Sequence, residues 1–153
     1  MDNPIPALEP AFDVVAQLGP LEDHGVTLAG HRRVIPILGG TVSGGIEADI
    51  LPGGADRQIV RQDGSVEVSA AYSARTADGA LVLLHSTGVR SGSPDVLAAV
   101  LTGEDVDPSR YYFRTVVRVE TSDPALAPLQ DVLFIAAAVR EADRVAYTAY
   151  RVT

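Results

Sequence analysis

Short segments that alternate apolar with polar residues, or are apolar throughout, recur along the whole chain between glycines and prolines. That punctuation marks an antiparallel β-sandwich or β-barrel. The first segment is Ala11–Leu18, ended by Gly19-Pro20, and the next is Arg32–Leu38, interrupted by Pro36. A proline cannot donate to a strand ladder, so Pro36 marks an edge or a bulge. Thr41–Leu51 follows, and its Gly44-Gly45 pair suits the sharp bend of a barrel corner. Pro52-Gly53-Gly54 then turns the chain into Arg57–Gln62.

Asp63-Gly64 and Asp78-Gly79 are hairpin signals. Between them Val66, Val68, Ala70, Tyr72 and Ala74 share one face, while Glu67, Ser69, Ser73 and Arg75 share the other. Ala80–Gly88 continues the meander. Ser93-Pro94-Asp95 reads as an N-cap, a first-turn proline and an acid at the positive end of the helix dipole, opening a short helix over Asp95–Leu101. Tyr111–Thr121, Val132–Arg140 and Arg144–Val152 complete the set. About nine strands in one short chain favour closure, because closure removes unpaired edges. The predicted fold is all-β: a single antiparallel β-barrel of about nine strands with one short helix, residues 1–153 forming one domain. A β-sandwich is the alternative. Segments apolar on both faces, such as Leu81–Leu84 and Val132–Ala138, imply an outer face that is covered, and a homodimer or higher homo-oligomer is expected.

Composition narrows the chemistry. The 153 residues contain no cysteine, which removes disulfides, thiolate metal sites and thiol nucleophiles. All twelve basic residues are arginine, so lysine Schiff bases and lysine general bases are absent too. A formal net charge of -8 repels phosphate backbones, making nucleic acid an unexpected partner. Met1–Pro10 has neither a basic n-region nor an apolar h-region, and no stretch approaches the roughly 20 apolar residues of a membrane helix. A cytoplasmic protein with no membrane partner is the expectation.

Carboxylates, tyrosines, arginines and hydroxyls are what remains. Along Tyr111–Thr121, the residues Tyr112, Arg114, Val116, Arg118 and Glu120 face one way. That face is either solvated or turned into a polar pocket. Arg118 and Glu120 would stand about 7 Å apart and could pair, while Arg114 and Glu120 would be about 20 Å apart, at different ends of a ligand. The second cluster follows Gly53-Gly54, where Asp56 and Gln58 share parity; it reads as a turn cap or as a carboxylate and amide at a barrel mouth. Tyr72 would bring a hydroxyl into the interior. His85 reads as a hydrogen-bonded core histidine, and His24, His31 and His85 have no metal-ligand spacing, so no metal is expected.

Ile35-Pro36-Ile37-Leu38-Gly39-Gly40, Leu51-Pro52-Gly53-Gly54-Ala55-Asp56-Arg57-Gln58, Arg61-Gln62-Asp63-Gly64, Ala71-Tyr72, Arg75-Thr76-Ala77-Asp78-Gly79-Ala80, Asp107-Pro108, Tyr112-Phe113-Arg114 and Glu120-Thr121 come in an order and spacing that resembles domain-of-unknown-function family 3237. The likeness runs from about Pro6 to Val152. It implies a β-barrel, in proteins mostly without an assigned activity. It also implies recurrent polar positions at Asp56, Gln58, Tyr72, Arg75, Tyr112, Arg114 and Glu120. Arg57 stands where the family usually has tryptophan, and Pro128-Leu129-Gln130 where Trp-Leu-Asn is common.

The leading functional expectation is a cofactor-free enzyme of small-molecule metabolism, specialised or aromatic, of the lyase, isomerase or cyclase type. Glu120 or Asp56 would be the general base, its pKa raised by an apolar pocket. Tyr112 or Tyr72 would donate to a developing oxyanion. Arg114 would hold a carboxylate or enolate, and Gln58, Tyr72 and Arg75 would contact the substrate. The rivals are a non-catalytic barrel that binds a small molecule and a structural or interaction protein. Geometry separates them: the reading built on Glu120, Arg114 and Tyr112 requires those side chains to line a cavity beside Asp56 or Tyr72.

Overall fold

Each alternating segment buries one parity of side chains, and the sheet closes on itself to do so. The computed structural model describes residues 1–153. Its strands are β1 Leu8–Leu18, β2 Glu22–Thr27, β3 Gly30–Ser43, β4 Ala48–Ile50, β5 Gly54–Val60, β6 Val66–Thr76, β7 Leu81–Ser91, β8 Tyr112–Thr121, β9 Phe134–Arg140 and β10 Arg144–Val152. Eight of them form a closed antiparallel ring, β1–β10–β9–β8–β7–β6–β5–β3, and β3 returns to β1 with Asp13 opposite Ser43. The helix, α1, spans Pro94–Leu101 between β7 and β8; its Ser93 cap accepts a hydrogen bond from the Val96 amide at 3.4 Å. No helix is long and apolar enough to cross a membrane.

The strand count is ten rather than nine: β2 is additional, and Thr41–Leu51 is divided between β3 and β4. Arg32–Leu38 and the start of Thr41–Leu51 are one fourteen-residue strand, β3. It survives its proline and glycines because its neighbours change there. On one side β1 pairs with Ile37–Ser43 and β2 with Gly30–Val34, so Pro36 falls in the gap where a missing N–H costs nothing. On the other side β5 ends opposite Ile37 and β4 begins opposite Thr41. Gly40 lies between them with φ 127°, and a Cβ there would sit 2.0 Å from the Val15 carbonyl oxygen. Only glycine lets β1 approach so closely. β2, a polar hairpin arm with no apolar face, gave no periodic signal.

The interior has two unlike ends. Strand ends carrying Phe12, Val42, Val82, Val119 and Phe134 meet Ile46 of the β3–β4 loop in a packed apolar plug, where Phe12 and Phe134 stack edge-to-face at 5.1 Å. The opposite end, beneath α1, holds the polar side chains. On the outside, Leu81, Leu83, Val116, Leu133 and Ile135 are exposed along β7, β8 and β9. The plug predicts that Phe134→Ala, at a residue with no exposed surface, lowers stability by about 3–5 kcal/mol. Urea unfolding followed by circular dichroism would measure it, and a loss below about 1 kcal/mol would mean the plug does not hold the barrel closed.

Candidate functional site

Following the inward parity of each strand to the end nearest α1 brings together residues far apart in sequence. β3 delivers Arg33, Ile35 and Ile37; β5 delivers Asp56 and Gln58; β6 delivers Val68, Ala70 and Tyr72. β7 ends in Ser86 and Arg90, β8 begins with Phe113 and Thr115, β9 ends in Ala138 and Arg140, and β10 contributes Val145 and Tyr147. All but Arg33 line one internal cavity of about 40 Å³. That is room for a few waters or a short organic molecule.

Asp56 is the acid of this cavity. Gln58 Nε2 donates to its Oδ2 at 2.8 Å, and the Ser69 backbone amide on β6 donates to its Oδ1 at 3.0 Å. It therefore bonds across strands and is no turn cap. Burial pushes its pKa above the ordinary carboxyl value, and the bonds from Gln58 and Ser69 with the charges of Arg90 and Arg140 only partly offset that. Tyr72 and Tyr147 share a hydroxyl–hydroxyl hydrogen bond of 2.5 Å between β6 and β10. Burial raises both phenol pKa values, so the pair stays neutral; one proton joins the oxygens and the other is free to donate.

Arg90 is 3% exposed, and its guanidinium lies 5.2 Å from the centre of the Phe113 ring. Burial lowers its pKa to about 10, which leaves it charged at neutral pH. Arg140, two strands away at the end of β9, lies beside Tyr111, whose hydroxyl accepts from the Arg140 backbone amide at 3.2 Å, and its guanidinium donates to the Glu141 carbonyl. Three buried polar atoms have no partner: Gln58 Oε1, Thr115 Oγ1 and Arg33 Nε. Buried groups of this kind are nearly always satisfied. Two of them belong to residues lining the cavity, which makes its wall competent to bind something polar.

The sequence-derived candidates divide cleanly. Asp56, Gln58 and Tyr72 line the cavity. Glu120, Tyr112 and Arg114 on β8 and Arg75 on β6 point outward and are exposed. The pocket-facing reading of the Tyr112–Glu120 face is thus corrected. Its opposite face, Tyr111, Phe113, Thr115, Val117 and Val119, is buried, and burying one parity commits the other to water. Arg118 and Glu120 form no ion pair, the three present being His31–Asp23, Arg61–Glu67 and Arg144–Glu141. Arg114 instead folds its guanidinium 5.1 Å over the Tyr112 ring. His85 is also on the outer face rather than in the core. Arg90, Arg140, Ser86, Thr115 and Tyr147 were missed. Each shares parity with a buried neighbour (Leu84 for Arg90, Ala138 for Arg140), so the signal lay in following each apolar face to its last residue.

The family model for a protein of unknown function, DUF3237, matches residues 6–152. The chain belongs to the DUF3237 family. A UPF0311 protein of Bradyrhizobium diazoefficiens is 40% identical over 141 residues, covering 92% of this chain and 93% of that relative. A conserved protein of unknown function from Rhodopseudomonas palustris has the same fold at TM-score 0.92 and 40% identity, with 99% of this chain and all (100%) of that one covered. A solved structure described as an enzyme from Penicillium herquei aligns at TM-score 0.72 and 19% identity, covering 100% of this chain and 99% of that one, a likeness of fold. Arg57 and Gln130, which stand where the family resemblance implies tryptophan and asparagine, both lie outside the cavity. Arg57 is exposed on the outer face of β5. Gln130 secures the end of β8, its Oε1 accepting from the Thr121 amide at 3.2 Å.

Two expectations follow from this geometry. A carboxyl whose folded pKa lies above its unfolded value favours folding fully below that unfolded value, and the contribution is lost as pH rises through the folded pKa. Replacing Asp56 by asparagine, which mimics the neutral form, should therefore raise stability relative to wild type at pH 7, and the advantage should shrink on acidification toward the ordinary value of 3.8. Urea midpoints across pH measure this; a variant less stable at neutral than at acid pH, relative to wild type, would contradict it. In the tyrosine pair, Tyr72→Phe and Tyr147→Phe should each cost about 1–3 kcal/mol by stranding the partner hydroxyl. The double variant should cost less than the sum, as a double-mutant cycle would record.

Proposed function

We propose that this protein is an enzyme of small-molecule metabolism that moves protons within the barrel, with Asp56 as general base. The carrying observation is a carboxyl of raised pKa, held by Gln58 and the Ser69 amide in an apolar cavity that also presents a neutral tyrosine pair. A carboxyl adjusted upward by burial stands nearer the pH at which it must take and return a proton.

The chemistry is written for a carbonyl compound. Asp56 removes a proton from carbon next to the carbonyl, and the C–H electron pair moves into a carbon–carbon double bond. Negative charge gathers on the carbonyl oxygen, where the Tyr72–Tyr147 pair donates a hydrogen bond. The protonated Asp56 then returns the proton to the same carbon or a neighbouring one, which gives exchange or isomerisation; departure of a β-substituent gives a lyase outcome. Nothing but the side chains present is needed for these steps. A phenolic substrate uses the same two groups, ionised by Asp56 and held by the tyrosines.

A barrel that binds a small molecule without turning it over is the second reading. The small, largely apolar cavity favours it, since a bound molecule and a reacting water have little room there together.

Proton exchange separates the two. Small ketones, keto acids and phenols, among them butanone and 2-oxobutyrate, are incubated in deuterium oxide with the protein and followed by proton NMR. At least one should lose its acidic C–H signal faster than in buffer, and Asp56→Asn should slow that by about 10²–10⁴-fold. Exchange no faster than buffer across the series, or undiminished in Asp56→Asn, would sink the enzymatic reading.

A further inference from the structure

The charges at the polar end of the barrel do not balance. Arg33, Arg90 and Arg140 all turn inward there, and Asp56 is the one carboxylate lining the cavity with Arg90 and Arg140, in a chain whose formal charge is -8; Asp23 acts on Arg33 and Asp143 on Arg140 from outside the cavity. Asp56 makes no close ion pair with any of them, its oxygens being engaged by Gln58 and Ser69, and its charge acts on Arg90 and Arg140 only at longer range. Buried charge is normally paired. Here two guanidiniums, of Arg90 and Arg140, line a cavity whose remaining wall includes Ile35, Val68, Phe113 and Val145. The Gln58 carbonyl oxygen, with its residue 1% exposed, is an acceptor without a donor at the same cavity.

We propose that the cavity takes a small organic acid, its carboxylate held by Arg90 and Arg140 and a hydroxyl or similar donor on its body held by the Gln58 side-chain carbonyl. Each part answers a separate observation. The guanidiniums present planar forks suited to a carboxylate. The apolar walls favour a ligand with a hydrocarbon body over a bare inorganic ion. The 40 Å³ limits that body to a few carbons. The orphaned Gln58 oxygen selects a ligand that donates, because leaving it unmatched beside a non-donor keeps its desolvation cost. Arg90 also lines the cleft under α1 with Arg33, Leu97 and Leu101, and Arg140 the cleft by Glu104 and Glu141. Both arginines thus border the cavity and a cleft beside it, the cleft at Arg140 being acidic with Glu104, Asp105, Glu141 and Asp143. The inference rests on the reading above only for the location of the site.

Titration calorimetry on the wild type compares 2-hydroxybutyrate with butyrate, which lacks the donor, 2-hydroxybutyramide, which lacks the charge, and inorganic phosphate, which lacks the body. The hydroxy acid should bind most tightly, the amide and phosphate at least about tenfold more weakly, and butyrate in between. Arg90→Met and Arg140→Met, which keep most of the side-chain volume, should each weaken the hydroxy acid at least about tenfold and leave the amide unchanged. The wild-type series decides even if a variant fails to fold. Binding of the amide or phosphate as tight as that of the acid overturns the proposal, as does no binding by any probe. Failure of the catalytic reading looks different. An acid that binds, with no exchange in deuterium oxide, removes the enzyme and leaves the acid site, while exchange of butanone with no acid binding does the reverse.

Discussion

Closure of the sheet through β1 and β3 is the constraint on which the other features depend. Once β3 returns to β1 with Asp13 opposite Ser43, every strand has one parity inside and one outside, and neither can be exchanged without slipping a whole register. β3 bears most of the cost. Over fourteen residues it accepts β1 and β2 along one edge and β4 and β5 along the other, and it tolerates Pro36 and Gly40 because they fall at the changes of partner. Gly88 serves the same closure on the far wall, since a Cβ there would meet the Arg114 carbonyl oxygen at 1.9 Å. A closed, tightly drawn wall turns a row of ordinary strands into an enclosed volume.

What fills that volume differs between the ends, and free energy separates their roles. The end built from Phe12, Val42, Ile46, Val119 and Phe134 is close-packed and carries the stability. The end beneath α1 carries Asp56, Gln58, Thr115 and the arginines, which cost desolvation whether or not they bond. Replacing such buried polar groups with well-packed apolar residues is often neutral or stabilising. Their concentration at one end therefore runs against what stability alone would select, and the chain supports it with the plug at the other.

The same alternation explains how far the sequence could be read. A barrel with one short helix was legible because the Val66–Ala74 alternation, the Asp63-Gly64 and Asp78-Gly79 turns and the Ser93-Pro94-Asp95 cap are local signals. β2 was not legible, because a polar arm that pairs with β3 on the outside buries no face and so has no period. At the site, Asp56, Gln58 and Tyr72 could be found because two glycines and a clean alternating strand point to them. The Tyr112–Glu120 face misled for a physical reason: it carries the most chemistry per residue on β8, yet the buried parity is the plain one, Phe113, Val117 and Val119. Arg90 and Arg140 hide at the ends of apolar runs, where a charged residue reads as the place a strand leaves the core. In a barrel it can instead be the place where the core becomes a site.

The excess of guanidinium over carboxylate also bears on how Asp56 would work. Cations nearby favour its ionised form, and burial opposes them more strongly, so its pKa ends above the ordinary value. An anion seated on Arg90 and Arg140 removes the cationic help and displaces water, and both changes push the Asp56 pKa further up. Ligand and base would thus be coupled: an acid that satisfied the arginines would make Asp56 a stronger base at the moment a carbon acid lay beside it. The coupling runs in reverse as well, because a protonated Asp56 adds no negative charge to repel an anion. An empty cavity would leave Asp56 at its weakest as a base, and a filled one would give both guanidiniums an anionic partner.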